Sequence, residues 1–154
     1  MTECLHKTRP CLWFEKDGLA AARLYVSLLP DSRMVSETEG SDPLVMNSIL
    51  AGAPYQILNG GQRFRLSEAV SIPVSTDDQA ETDRLWSALI ADGGEESRCG
   101  WLKDRWGLSW QFVPRRLGEL LSHPDRAGAA RAQDAMLQMN KIDIAALERA
   151  FEGA

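Results

Sequence analysis

The chain has 154 residues, 44% hydrophobic and 25% charged, with a formal net charge of −5 at pH 7. The length suits one domain with a sizeable core, and the composition is typical of soluble globular proteins. An acidic chain without a basic, aromatic-rich patch binds nucleic acid and anionic membranes poorly, so neither is expected as a partner.

Cysteine usage and hydropathy bear on where the protein works. Apolar runs stay well short of the ~18 residues that cross a bilayer. The first residues lack the basic and apolar regions of a signal peptide. Cys4, Cys11 and Cys99 form no CxxC pair. Reduced thiols in a cytoplasmic protein are therefore expected.

The first half of the chain predicts a strand, a helix and three further strands. Apolar residues over 21–28 recur at the spacing of one helix face, and Pro30 ends that helix. The predicted elements are a strand over 7–14, a helix over 19–29, a short strand from 34, and a hairpin with arms over 44–50 and 55–58. The pair Gly60-Gly61 then breaks the pattern, and a linker is expected as far as Glu68.

The second half predicts the same order. Strands are expected over 69–75 and 95–99, and Thr76 or Asp77 is expected to cap a helix that ends at Ile90. The tryptophan-rich run over 99–114 predicts a hairpin whose charged centre, 103–105, forms an exposed tip. Strand alternation in its second arm places Trp110 and Phe112 on one face, and the other face carries Ser109, Gln111 and Val113.

A repeated motif links the two halves. Arg23-Leu24-Tyr25 with Leu28-Leu29 matches Arg84-Leu85-Trp86 with Leu89-Ile90, 61 residues later. Matching flanking strands favour a duplicated βαβββ module. We therefore predict an α+β domain over 1–114, with modules at about 5–60 and 68–114 forming one curved eight-stranded mixed sheet.

A helical extension is predicted over 115–154. Its helices are expected over 117–121, 125–139 and 144–151, with Asp125 and Asp143 as caps. Their apolar faces must pack either on the same domain or on a second subunit.

Several runs resemble a known family. They are Cys11-Leu12-Trp13-Phe14, Leu58-Asn59-Gly60-Gly61, Cys99-Gly100-Trp101-Leu102-Lys103-Asp104 and Gly107-Leu108-Ser109-Trp110-Gln111. With the duplicated module, they resemble the PhnB-like group of the vicinal oxygen chelate superfamily, which includes glyoxalase I, extradiol dioxygenases and bleomycin-resistance proteins. The run over 136–144 looks like the helical tail of that group. The resemblance implies a homodimer with one pocket in each sheet. Reactions in the group are mostly unassigned, and its usual label is demethylubiquinone methyltransferase.

The superfamily's shared chemistry uses a divalent metal held by His or Glu on four strands. The offset of 61 pairs Pro10 with Ser71, and Asn59 and Gln111 look like the equivalents of the carboxylate ligands. None of these four residue types is a good ligand for a transition metal. The two histidines lie near the start and in the tail. No metal and no cofactor are therefore expected. Methyl transfer also lacks the glycine-rich turn between a strand and a helix on which a nucleoside-type donor usually rests.

The sequence favours a metal-free, dimeric protein that binds a small organic molecule. Asn59, Ser71 and Gln111 are the predicted polar contacts, and Trp13 and Trp101 are predicted to border the ligand. For the two amides, hydrogen bonding to each other or to buried water is an equal alternative. Two other functions stay open. One is an enzyme, either a lyase, isomerase or dioxygenase with an atypical metal site or a transferase of the labelled kind. The other is an interaction module whose pocket its own side chains fill.

Overall fold

A computed structural model describes residues 6–35 and 43–154. Cys4 and the predicted end of the second strand lie outside those ranges. The chain divides into two compact units, Met1–Leu66 and Ser67–Ala154, and each contains one sheet.

The first unit is one βαβββ module. Its elements are β1 (Cys11–Phe14), α1 (Gly18–Leu28), β2 (Arg33–Met34), β3 (Val45–Leu50) and β4 (Ala53–Asn59). The sheet order is β1-β4-β3-β2, with β1 parallel to β4 and the other pairs antiparallel. α1 packs against β3 and β4, where Tyr25, Met46 and Ile57 are completely buried. This packing leaves the opposite face of the sheet, here called the far face, pointing away from α1.

The second unit repeats the module. Its elements are β5 (Ser71–Thr76), α2 (Gln79–Ile90), β6 (Glu95–Glu96), β7 (Trp101–Lys103) and β8 (Ser109–Pro114), in the sheet order β5-β8-β7-β6. The predicted duplication and the α+β class are confirmed. Backbone pairing joins the described strands in two four-stranded sheets, and the single curved eight-stranded sheet predicted from the duplication stays a prediction.

The N-terminus of α2 differs from its prediction by one residue. Asp78, rather than Thr76 or Asp77, is the cap, and its carboxylate accepts a hydrogen bond from the backbone N–H of Glu81. Glu81 reaches back to the N–H of Asp77 at 2.7 Å, which completes a capping box displaced by one residue. Thr76 instead stays in β5, where its hydroxyl pairs with the Thr82 hydroxyl in the core.

The two modules differ by one residue between the first strand and the helix. Three residues, 15–17, separate β1 from α1, whereas two residues, 77–78, separate β5 from α2. The helices are therefore offset by 61 residues and the ends of β1 and β5 by 62. Counted from those ends, Arg9 corresponds to Ser71, so the pairing of Pro10 with Ser71 is wrong. A shift of one residue along a strand moves a side chain to the other face, so the correction changes which residues are compared.

The C-terminal residues of the second unit form three helices, α3 (Arg115–Leu121), α4 (Arg126–Leu137) and α5 (Ile144–Glu152). The predicted caps Asp125 and Asp143 are confirmed, because each carboxylate accepts a backbone hydrogen bond from its helix's first turn. The helices bury a small apolar cluster of their own, made of Leu117, Leu120, Ala132, Ile142 and Leu147. No helix in the described ranges is long and apolar enough to cross a membrane.

The segment between α4 and α5 is fastened to the second module by hydrogen bonds. The backbone N–H groups of Cys99 and Gly100 donate to the carbonyls of Met139 and Asn140, at 2.8 and 2.7 Å. At the start of α2, the Gln79 amide donates to one backbone carbonyl of this segment and accepts from the first N–H of α5. The extension therefore lies against the module that precedes it.

Candidate functional site

In the second unit, the far face is the face of the sheet that points away from α2. It carries three of the predicted ligand contacts, Ser71, Trp101 and Gln111. Phe112 points the other way, toward α2, where its ring meets that of Trp86 at 6.2 Å between centroids. Trp110 is only 1% exposed on the same side. Because side chains alternate along a strand, Gln111 lies on the far face, as predicted.

Ser71, Ser109, Gln111 and Trp101 form a group that we call the Gln111 cluster. The Gln111 amide nitrogen donates to the Ser71 hydroxyl oxygen at 2.7 Å. Strand register pairs Gln111 with Trp101 across β7 and β8, and Ser109 with Ser71 across β5 and β8. The structure thus brings together residues from three strands that the sequence separates by up to 40 positions.

Ser109 is the member of the cluster that the sequence did not single out. Its side chain is 1% exposed, and its hydroxyl has no hydrogen-bond partner among the described residues. Buried hydroxyls are normally paired, so an unpaired one beside Ser71 and Gln111 offers a donor and an acceptor to something else. Strand alternation had placed it on this face, but a single serine gives no sequence signal of burial.

One cation lies next to the cluster and is already paired. Lys103 is the register partner of Ser109, and its ammonium contacts the Glu68 carboxylate at 2.5 Å. This hydrogen bond raises the pKa of Lys103 and lowers the pKa of Glu68. The charge is therefore largely balanced, and the remaining polar groups of the cluster are neutral.

Asn59 belongs to the first unit. Its side-chain oxygen accepts from the backbone N–H of Gly18 at 2.8 Å, and its nitrogen donates to the carbonyl of Pro43 at 2.9 Å. Alternation places it with the fully buried Ile57, on the face that α1 covers and not on the far face. Asn59 therefore has a structural role, because its side-chain oxygen accepts a backbone N–H at the start of α1. Its contact with a ligand stays a prediction.

Trp13 is on the far face of the first sheet and is covered by its own unit. Its indole N–H donates to the carbonyl of Gly61 at 2.9 Å, and the ring of Phe64 stands edge-on to it at 4.9 Å. A Cβ at Gly60 would lie 2.2 Å from the indole, so only glycine permits this close approach. Trp13 therefore anchors the residues that follow β4.

The register equivalent of Gln111 in the first unit is Gln56. Gln56 pairs with Cys11 and Asn47, just as Gln111 pairs with Pro73 and Trp101. The sequence comparison missed Gln56 because the last strands of the two modules share neither the offset of the helices nor that of the first strands. The chain between the helix and the last strand is longer in the first module than in the second, and nothing in the local composition reports this difference.

The centre of the tryptophan-rich hairpin is not a fully exposed tip. Asp104 is 3% exposed, and its carboxylate accepts from the backbone N–H groups of Trp106 and Leu108 and from the indole N–H of Trp110. These bonds close the turn and fix the position of β8. The exposed-tip prediction fails because a turn with inward-facing N–H groups requires a buried acceptor.

The donor chemistry of the two far faces does not suit the superfamily's metal. Serine, glutamine and arginine occupy the register-equivalent positions, and the described residues contain no group of three or more His, Cys, Asp or Glu placed to hold an ion. The glycine pairs likewise lack a following helix. Gly60-Gly61 leads into turns and irregular chain, and Gly93-Gly94 leads into β6.

Comparison with known proteins identifies the family to which this chain belongs. The family model described as 3-demethylubiquinone-9 3-methyltransferase matches residues 6–113, well over half of the chain. The chain belongs to this PhnB-like family. The matched part ends at Val113, so the similarity noted for 136–144 falls outside it. No protein among the curated sequences matches this chain.

Solved structures agree with the family. The chain is 25% identical to the putative 3-demethylubiquinone-9 3-methyltransferase, PhnB protein, from Bacillus cereus, with a TM-score of 0.63 over 71% of this chain and 99% of that one. A glyoxalase/bleomycin resistance protein from Albidiferax ferrireducens is 14% identical, with a TM-score of 0.52 over 70% and 96% of the two chains. The second likeness shows the fold alone. The PhnB-like chain therefore shares the fold of a glyoxalase/bleomycin resistance protein.

Proposed function

We propose that the second unit binds a small organic metabolite without a metal, at the Gln111 cluster. The supporting observation is the pair of polar groups that the Gln111–Ser71 bond leaves available. Because the Ser71 oxygen accepts from Gln111, its hydrogen is free to donate, and the Gln111 carbonyl oxygen can accept. The half-buried Trp101 ring lies beside them in register.

This chemistry defines the class of ligand. A donor and an acceptor that lie side by side match a phenol, an amide or a hydroxy-carbonyl group, and a tryptophan ring adds a surface for stacking. The neutral cluster favours an uncharged group at this point, since the neighbouring Lys103 is already paired with Glu68.

A thermal-shift screen of planar phenols, amides and hydroxy-carbonyl compounds tests the proposal. A ligand at 100 times its Kd stabilises a folded protein by about 2.7 kcal/mol. Gln111→Ala and Ser71→Ala should each weaken binding by about two- to tenfold, the value of one neutral hydrogen bond. Gln138→Ala removes an exposed amide at the end of α4 and is the matched control. Equal binding by wild type and Gln111→Ala would refute the site.

Two measurements separate this proposal from an enzymatic function. NMR of the bound compound after long incubation shows an unchanged ligand for a binding protein and a product for an enzyme. Elemental analysis of protein purified without chelator measures the metal content. A stoichiometric metal would overturn the metal-free proposal and favour a lyase, isomerase or dioxygenase.

Methyl transfer is a second candidate because the family model and the Bacillus cereus structure carry that description. It requires a site for the methyl donor. S-adenosylmethionine, the common nucleoside-type donor, should stabilise the protein in the same thermal-shift assay if this function holds. Absence of a shift at millimolar donor would reject it.

The homodimer implied by the resemblance is also a proposal. Leu44 and Val45 of the first unit are 66% and 43% exposed, and such apolar side chains are suited to burial in an interface. Light scattering coupled to size exclusion should give the mass of two chains. The mass of one chain at micromolar concentration would reject the dimer.

A further inference from the structure

The far face of the first sheet carries a cation that the second sheet lacks. Arg9 stands at the position that Ser71 occupies in the second module. Its Nε donates to the Asn47 side-chain oxygen at 3.0 Å, and its Nη1 donates to the carbonyl of His6 at 3.3 Å. These two bonds hold the guanidinium over β3 and leave N–H groups of both terminal nitrogens available.

No carboxylate among the described residues pairs with Arg9. The salt bridges of the described chain use other cations, and the groups that hold Arg9 are a neutral amide and a backbone carbonyl. A half-buried guanidinium normally finds an anion, because its charge is costly to leave unbalanced away from bulk water. An anion from outside the chain can supply that balance.

Cys11, Gln56 and Asn47 form one row across β1, β4 and β3 on this face. Gln56 on β4 lies between β1, which begins shortly after Arg9, and β3, whose Asn47 holds the guanidinium. Burial raises the pKa of the Cys11 thiol, and the nearby charge of Arg9 offsets part of that rise. The row therefore presents a guanidinium, an amide donor and a thiol within one small area.

We infer that Arg9 and Gln56, beside Cys11, form a binding site for the carboxylate of a small organic acid. The two terminal nitrogens of a guanidinium match the two oxygens of a planar carboxylate, and one positive charge balances one negative charge. The Gln56 amide supplies a third donor. Asn47 is a positioning residue that fixes the orientation of the guanidinium. This site lies in the first unit and shares no residue with the Gln111 cluster.

Affinity alkylation tests the inference with a matched pair of reagents. Iodoacetate carries a carboxylate and iodoacetamide does not. Each alkylates a thiolate in the same way, since sulfur attacks the methylene carbon and iodide leaves. The ratio of their rates at one cysteine cancels the fraction of thiolate. Peptide mass spectrometry gives this ratio at Cys11 and, in the same sample, at the reference thiol Cys99.

We expect the ratio of the iodoacetate rate to the iodoacetamide rate to be about tenfold higher at Cys11 than at Cys99. A tenfold preference corresponds to the free energy of one charge-assisted hydrogen bond. Arg9→Gln should lower the Cys11 ratio to that of Cys99, whereas Lys7→Gln, which removes an exposed cation close by in the sequence, should not. Equal ratios at the two cysteines of the wild type would overturn the site. A full ratio in Arg9→Lys would also overturn it, because charge without the guanidinium geometry would then suffice.

Competition on the wild-type protein does not depend on whether a variant folds. Acetate should slow the reaction of iodoacetate at Cys11 and leave Cys99 unaffected, at constant ionic strength maintained with chloride. Stronger competition by phosphate than by acetate would refute the assignment to carboxylates. Gln111→Ala should leave every one of these results unchanged, which separates this inference from the proposed function.

Discussion

Replacing the buried carboxylate of Asp104 tests whether the tryptophan-rich hairpin depends on a single acceptor. Asp104→Asn keeps an oxygen for the two backbone N–H groups but turns an NH2 group toward the indole N–H of Trp110, now 3.0 Å from the carboxylate. One buried donor then loses its Asp104 acceptor, at a cost of about 1–3 kcal/mol. Asp104→Ala removes the acceptor of all three donors and should cost about 3–6 kcal/mol, a large part of the ~5–15 kcal/mol stability of a domain.

Urea unfolding followed by far-UV circular dichroism measures these costs. The decisive comparison repeats Asp104→Asn in a Trp110→Phe background, where no indole N–H remains. There the cost should vanish or reverse, which gives a coupling energy of at least about 1 kcal/mol. Asp92→Asn is the matched control, because Asp92 is an exposed partner of Arg105 and its loss should cost about 1 kcal/mol or less. An equal cost of Asp104→Asn in both backgrounds would refute the assigned role.

Three further predictions concern glycine, amide and carboxylate positions. Gly100→Ala should lower the free energy of unfolding in urea far more than Gly107→Ala. Both glycines have positive φ, where an alanine costs about 1–2 kcal/mol. Only at Gly100 would the added Cβ also meet a backbone oxygen of β8, at 2.5 Å. Asn59→Ala should lower the unfolding free energy by about 1–3 kcal/mol through the N–H and carbonyl it leaves unpaired, while ligand binding at the Gln111 cluster persists. Backbone hydrogen bonds at the start of α4 hold the pKa of Asp125 below its usual value. Its stabilising contribution is therefore complete above the unfolded pKa of about 3.9 and is lost as pH falls through the folded pKa, so wild type and Asp125→Ala should converge in stability at low pH.

The sequence predicts the modules well because their helices must pack. The apolar faces of α1 and α2 each cover a sheet. This packing requires apolar residues at helical spacing, so both helices can be recognised in the sequence. The caps Asp125 and Asp143 are equally readable, since an N-cap bonds within its own first turn. Features of this kind depend on residues close together in the chain.

Features that depend on register are not readable in the same way. The third residue between β1 and α1 changes which side chains share a face, and no periodicity in the sequence reports it. Asn59 is predicted from the resemblance as the equivalent of Gln111, whereas the strand register gives that position to Gln56. Asp104 is a different case. Its charged neighbours predict exposure, whereas its burial follows from three donors that only the folded turn brings together.

With the corrected register, equivalent positions of the two modules can be compared, and they provide two different chemical environments. Glutamine stands at the centre of both rows, as Gln56 and Gln111. The positions around it differ, since arginine replaces serine before it and asparagine replaces tryptophan beside it. The helix-facing positions stay apolar because the core requires it, but a far face is free to change its polarity without loss of the fold. The first row is therefore suited to an anion and the second to a neutral, aromatic-stacking group. Titration of Arg9→Gln and Gln111→Ala with acetate and with phenol measures which row each ligand uses. Equal affinity of one ligand class for both rows would contradict the assignment of an anion to the first row and a neutral group to the second.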